Sequence, residues 1–143
     1  MNEPFFAPEP IVEDSVDTSS LTYSLVPTTD HIVIEFNGEI VADTTHAIVV
    51  FENGERPVYY IPPEDVSVAA LTPNKRTSVC AWKGVAQYYN LEVGNCISPT
   101  AAWCYPEPQA AAVEIRHYVA FYPHRIDRCI VNGLVVVGTP VEP

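Results

Sequence analysis

Fourteen prolines in 143 residues set the first limit on this chain. Proline lacks an amide hydrogen, and its ring collides with the carbonyl four residues back, so no long helix can run through it. Three Asn-Gly pairs stand at positions 37–38, 53–54 and 132–133. Asn-Gly accepts the positive φ of the tight turns that join antiparallel strands. Short extended segments joined by such turns are what remains, so the spacing predicts an antiparallel, meander-like β domain with a strand about every 8–12 residues.

The strands can be placed from local pattern. Ile32, Ile34 and Phe36 alternate with Val33 and Glu35, and Ile40 to Asp43 returns across Asn37-Gly38. His46 to Glu52 contains Ala-Ile-Val-Val-Phe, a continuous apolar run that fits a strand buried on both faces. Val58 to Ile61 is stopped by Pro62-Pro63, and Arg76 to Cys80 is short. In Gln87 to Val93, alternation sets Gln87, Tyr89, Leu91 and Val93 on one face, with Tyr88, Asn90 and Glu92 on the other. Ala101 to Tyr105, Tyr118 to Tyr122, Asp127 to Val131 and Leu134 to Val137 complete the set. Only Pro108 to Val113 has a helical texture, and it supports one or two turns.

Charge narrows the function classes. The net charge is −11, and it sits in the first 55 residues, which hold 11 acids and no Lys or Arg; the rest hold 7 of each sign. Nucleic acids need clustered cations, so no nucleic-acid partner is expected. Anionic membrane surfaces are disfavoured on the same ground. With no 18-residue apolar run and no basic, apolar N-terminus, a cytoplasmic protein without a membrane span is expected. Residues 1–20, rich in Pro, acids and Ser/Thr, read as an acidic, mobile lead-in, and 21–143 as a single β domain.

The four cysteines, Cys80, Cys96, Cys104 and Cys129, form no Cys-x-x-Cys knuckle. The histidines show no ligand pairing, so neither a metal nor another cofactor is expected. Cys80 lies three residues before Lys83, which could stabilise a thiolate. Paired carboxylates could come from Glu64, Asp65, Glu92 and Glu107, although sequence does not bring them together. The densest signal is aromatic. Ten large rings fall between Tyr59 and Tyr122, with Trp103 and Tyr105 on one strand face by parity. Such rings fit either a Tyr-rich core or a concave, ring-lined pocket with a few polar groups, for which Arg76, Lys83 and Glu107 are candidates. Lys83 could also lie on the face of Trp82.

Four stretches carry a resemblance: Pro57-Val58-Tyr59-Tyr60-Ile61-Pro62 with Asp65-Val66; Thr77 to Gly84 with Ala86 and Tyr88; Ala101 to Pro108; and Tyr118 to Pro123. From roughly Asp30 to Gly133 the chain resembles the family called domain of unknown function 427, sometimes labelled nucleotidyltransferase-like. The resemblance implies a β-tent fold, in which two small antiparallel sheets meet at an angle with a pocket between or beside them. That fold group includes zinc-stapled ligand-binding domains and class B methionine sulfoxide reductases. Without paired Cys-x-x-Cys knuckles their zinc does not carry over, and no acidic metal pair supports the nucleotidyltransferase label.

The leading expectation is a module that binds a small molecule or peptide group in an aromatic pocket. That pocket would draw on Tyr60, Arg76, Cys80, Lys83, Tyr88, Trp103, Tyr105, Glu107 and Phe121, with Lys83 as a fixed positive charge. An enzyme using Lys83, as a depressed-pKa base or Schiff-base amine, or Cys80, as a nucleophile, is the first alternative. A structural or interaction module with a docking acidic segment is the second. Edge strands could also pair two copies into a homodimer.

Overall fold

The computed structural model describes residues 22–138, so the acidic lead-in expected at 1–20 lies outside the described residues. Within them the strands are β1 (Tyr23–Pro27), β2 (Ile32–Phe36), β3 (Glu39–Thr44), β4 (Ile48–Glu52), β5 (Val58–Tyr60), β6 (Leu71–Cys80), β7 (Gly84–Val93), β8 (Cys96–Cys104), β9 (Val119–Phe121), β10 (Arg128–Val131) and β11 (Leu134–Gly138). Short 3-10 turns join them, and the longest, Ala110–Ile115, is kinked at Ala112. The helical stretch expected after Pro108 is therefore a pair of tight turns. All three Asn-Gly pairs have positive φ at both residues, as two-residue hairpin turns require.

The chain is mainly β, as expected, but hydrogen bonding divides it into three antiparallel sheets rather than two. Their strand orders are β1-β4-β5, β11-β10-β2-β3 and β6-β7-β8-β9. The backbones of the first and third are joined by an isolated bridge, Ile61 to Val119. Pro62 and Pro63 follow at once; having no N–H, they cannot extend the pairing. The meander is also interrupted, because β10 pairs with β2 from the far end of the chain.

Several local expectations change for identifiable reasons. β1 has no counterpart in the sequence reading; its Tyr-Ser-Leu-Val-Pro is a mostly exposed edge strand with no clean alternation. β6 runs ten residues and includes Pro73, where a short strand from Arg76 was expected. An edge strand tolerates proline because one row of its amides faces away from the ladder. In β7 the buried residues are Gly84, Ala86 and Tyr88 and then Leu91. Tyr89, Leu91 and Val93 pack in one core and Tyr88 in the other, as the alternation predicts; the register shift between Tyr89 and Leu91 puts its extra residues in β8. The partner strand turns there through Pro99 and Thr100, with φ 52° at Thr100.

The sheet β6–β9 has a core on each face. One core gathers Ile32, Ile34, Ile61, Leu91, Ala102, Val119 and Phe121. The other gathers Ile48, Val50, Tyr60, Cys80, Trp82, Ala86, Tyr88, Trp103, Tyr105, Ile115 and Tyr122. Strand alternation makes this division: Ala102 and Trp103 are neighbours in β8 and point to opposite cores. β4 is buried through Ile48, Val49 and Val50, in keeping with a run covered on both faces.

Candidate functional site

The ring-rich core contains an ion pair, Lys83 with Glu52. Trp82 and Lys83 lie in the three-residue turn between β6 and β7, where Cys80 pairs with Gly84. Gly84 has φ +117°, and a Cβ there would stand 3.2 Å from the Glu107 carbonyl oxygen. Only glycine lets the Glu107–Gln109 backbone pass this close, and the Gln109 amide then donates to the Lys83 carbonyl at 3.0 Å. The turn is thereby pinned with both side chains facing inward.

Lys83 is 3% exposed. Its Nζ donates to Glu52 Oε1 at 2.7 Å, and Trp82 Nε1–H donates to Glu52 Oε2 at 2.9 Å. The ammonium also lies 4.9 Å from the Trp82 ring centre, the cation–π contact the sequence allowed. Glu52 is the last residue of β4, beside the Asn53-Gly54 turn. Tyr23 of β1 stacks on Trp82 with ring centres 4.0 Å apart. A surface dent of about 170 Å³ is bordered by Thr22, Tyr23, Phe51 and Glu52 among others.

Around the pair stand the rings. Trp103 Nε1–H donates to Tyr60 Oη at 3.1 Å, edge-on to the Tyr60 ring. Tyr88 Oη meets Ser78 Oγ at 3.0 Å and Tyr122 Oη at 3.4 Å. Tyr105 is fully buried, and among the described residues its hydroxyl finds no hydrogen-bond partner. Buried polar groups almost always have one.

Protonation follows from this packing. Burial alone would lower the Lys83 pKa, but the Tyr60, Cys80 and Glu52 groups, with the Glu52 hydrogen bond, more than reverse that, so the ammonium is held charged. This corrects the expectation of a depressed-pKa amine. Burial raises the Cys80 thiol, and Lys83 offsets only part of the rise. Burial also pushes the Tyr60 hydroxyl up to about 12. It raises the Tyr105 hydroxyl as well, and the nearby Tyr60, Cys80, Tyr88 and Glu52 groups add to that. These directions favour a charged Lys83 and a protonated Cys80.

The structure thus brings together Tyr60, Cys80, Lys83, Tyr88, Trp103 and Tyr105. It does not bring Arg76, Glu107 or Phe121 to them. Arg76 is exposed on the edge strand β6, and Glu107 is exposed with only its backbone near the site. Phe121 pairs with Ala102 and so faces the other core, while Trp103 pairs with Ala120. Sequence reasoning missed Glu52. Its signal was an acid closing a strand covered on both faces, where a carboxylate needs a cation. Tyr23 and Tyr122 were also missed as neighbours of the two tryptophans.

The family model described as domain of unknown function (DUF427) matches residues 24–132. No curated protein matches the chain.

Proposed function

The chain belongs to the domain of unknown function 427 family, and from that premise we propose that it is a binding module whose ring-and-ion centre takes a small molecule or peptide group bearing a carboxylate or carbonyl. One observation carries this reading: two donors, the Trp82 indole and the Lys83 ammonium, converge on a single carboxylate at 2.9 and 2.7 Å inside an aromatic shell. Charge-assisted hydrogen bonds of this kind are about twice as strong as neutral ones. Glu52 occupies both donors and is one of the residues bordering the surface dent, so an incoming acid group would compete with it for one or both of them. The rings supply apolar area for the rest of the ligand. The Tyr105 hydroxyl offers a further donor; leaving such a group unpaired costs about 1–3 kcal/mol, which a ligand oxygen would recover. Binding is favoured over catalysis because Lys83 is held charged and the Cys80 thiol protonated.

The test uses the chain's two tryptophans. Both lie in the centre, so two indole N–H resonances in a ¹H–¹⁵N spectrum report on it. The full chain is titrated with acetate, benzoate, phenylacetate and N-acetylglycine. We expect at least one of them to shift both resonances saturably at millimolar concentration, and Lys83→Met to abolish the effect. If none of the four moves either resonance, or Lys83→Met binds as well as the parent, the reading fails.

A further inference from the structure

A second hollow lies where the three sheets converge. Its volume is about 210 Å³. β2 and β10 contribute Ile34 and Cys129, β5 contributes Val58 and Tyr59, and β9 contributes Phe121, with Ile126 beside them. Ile34, Phe121, Ile126 and Cys129 are buried core residues, while Pro57 and Val136 at the rim are exposed. The hollow therefore runs from the surface into the core. Three sheets meeting at one point diverge from it, and side chains on their strands cannot fill the wedge.

Protein interiors leave few voids larger than a water molecule. An apolar cavity of about 150 Å³ stays dry and takes benzene. This hollow exceeds that size, and its walls are mostly apolar. Among the described residues lining it, Arg56 alone is charged; it stands at the exposed rim and already has an interaction of its own. Burial raises the Cys129 thiol to about 11, so that wall is neutral as well.

We infer that this hollow is a second binding site, for a compact, uncharged apolar molecule such as a fused aromatic or a branched aliphatic of about ten non-hydrogen atoms. It is separate from the Lys83 centre, because Phe121 and Trp103 lie on opposite faces of one sheet.

Indole serves as the probe, with methyl-resolved NMR on the full chain. The expected result is a saturable shift at the methyls of Ile34, Val58 and Ile126. Two variants test the location: Ile126→Phe fills the hollow, and Val136→Trp, at an exposed rim position, covers its mouth. Each should weaken indole binding by about tenfold or more. If Ile126→Phe does not fold, Val136→Trp alone decides. No saturable shift at those methyls overturns the inference, and so does undiminished binding in the variants. Shifts at the same methyls on raising the protein concentration without indole would place a second copy in the hollow and overturn it too.

Discussion

Lys83 and Glu52, 31 residues apart in sequence, meet as a largely buried ion pair with Nζ 2.7 Å from Oε1. The lysine side chain is 4% exposed and the glutamate 16%. The turn after β6 and the end of β4 come from different sheets, so this contact ties two sheets together. Removing one partner of such a pair strands the other. Glu52→Gln should cost about 3–5 kcal/mol in urea unfolding, because it leaves an ammonium buried without its counter-ion. Lys83→Met should cost less, since Glu52 keeps the Trp82 donor and some water. The double variant should regain much of the loss. Strictly additive losses would mean that the two charges do not depend on each other.

Two tyrosines in the same core should respond in opposite ways to losing a hydroxyl. Tyr60 Oη accepts from the Trp103 indole, so Tyr60→Phe leaves a buried N–H unpaired and should cost about 1–3 kcal/mol. The Tyr105 hydroxyl has no such partner among the described residues. Tyr105→Phe should be neutral or stabilising by up to about 1 kcal/mol, while weakening any carboxylate bound at the centre. A clear loss of stability in Tyr105→Phe would assign that hydroxyl a structural role instead.

Gly84 and Gly54 separate two kinds of backbone demand. At Gly84 the φ of +117° comes with a carbonyl 3.2 Å from any added Cβ; at Gly54 the φ is +74° and nothing lies within 4 Å. Gly54→Ala should cost about 1–2 kcal/mol, the left-handed strain alone. Gly84→Ala should cost more and should also shift the Trp82 indole resonance, because the turn holding Lys83 has to move. Equal costs in thermal unfolding, with the resonance unmoved, would contradict the role given to Gly84.

Stability should fall on the alkaline side. Lys83, Tyr60, Tyr105, Cys80 and Cys129 all have folded pKa values raised above their ordinary ones. Each contributes stability that is fully present below its unfolded pKa, about 8.5 for cysteine and about 10 for tyrosine and lysine. Above those values the unfolded chain binds fewer protons than the native one, so stability declines as pH rises. Urea midpoints for these groups should hold steady up to about pH 8 and drop progressively toward pH 12. A midpoint that rises between pH 9 and 11 would reverse this sign.

The sequence made the β class legible because prolines and Asn-Gly pairs act locally, each dictating its own turn. Parity also set Trp103 and Tyr105 on one face, whereas grouping Tyr60 and Lys83 with them rested on the motifs of the family resemblance and not on local pattern. Register between strands was not legible. Phe121 was grouped with Trp103, yet one residue of register puts it opposite Ala102 and on the other face. The alternation of β7 was legible, but the bulge at Pro99-Thr100 in β8 was not, because pairing alone reveals it. Arg76 and Glu107 were attractive only as charges near the aromatic motifs; their side chains are exposed. Glu52 was hidden because its partner lies across two sheets, and no local spacing encodes that meeting.

The most direct measurement is a crystal structure of the protein grown with whichever of the four carboxylates binds best. The account predicts a ligand oxygen within hydrogen-bond distance of Lys83 Nζ or Trp82 Nε1, Glu52 displaced from at least one of those donors, and the Tyr105 hydroxyl paired. A ligand bound elsewhere, with Glu52 still holding both donors, would contradict it.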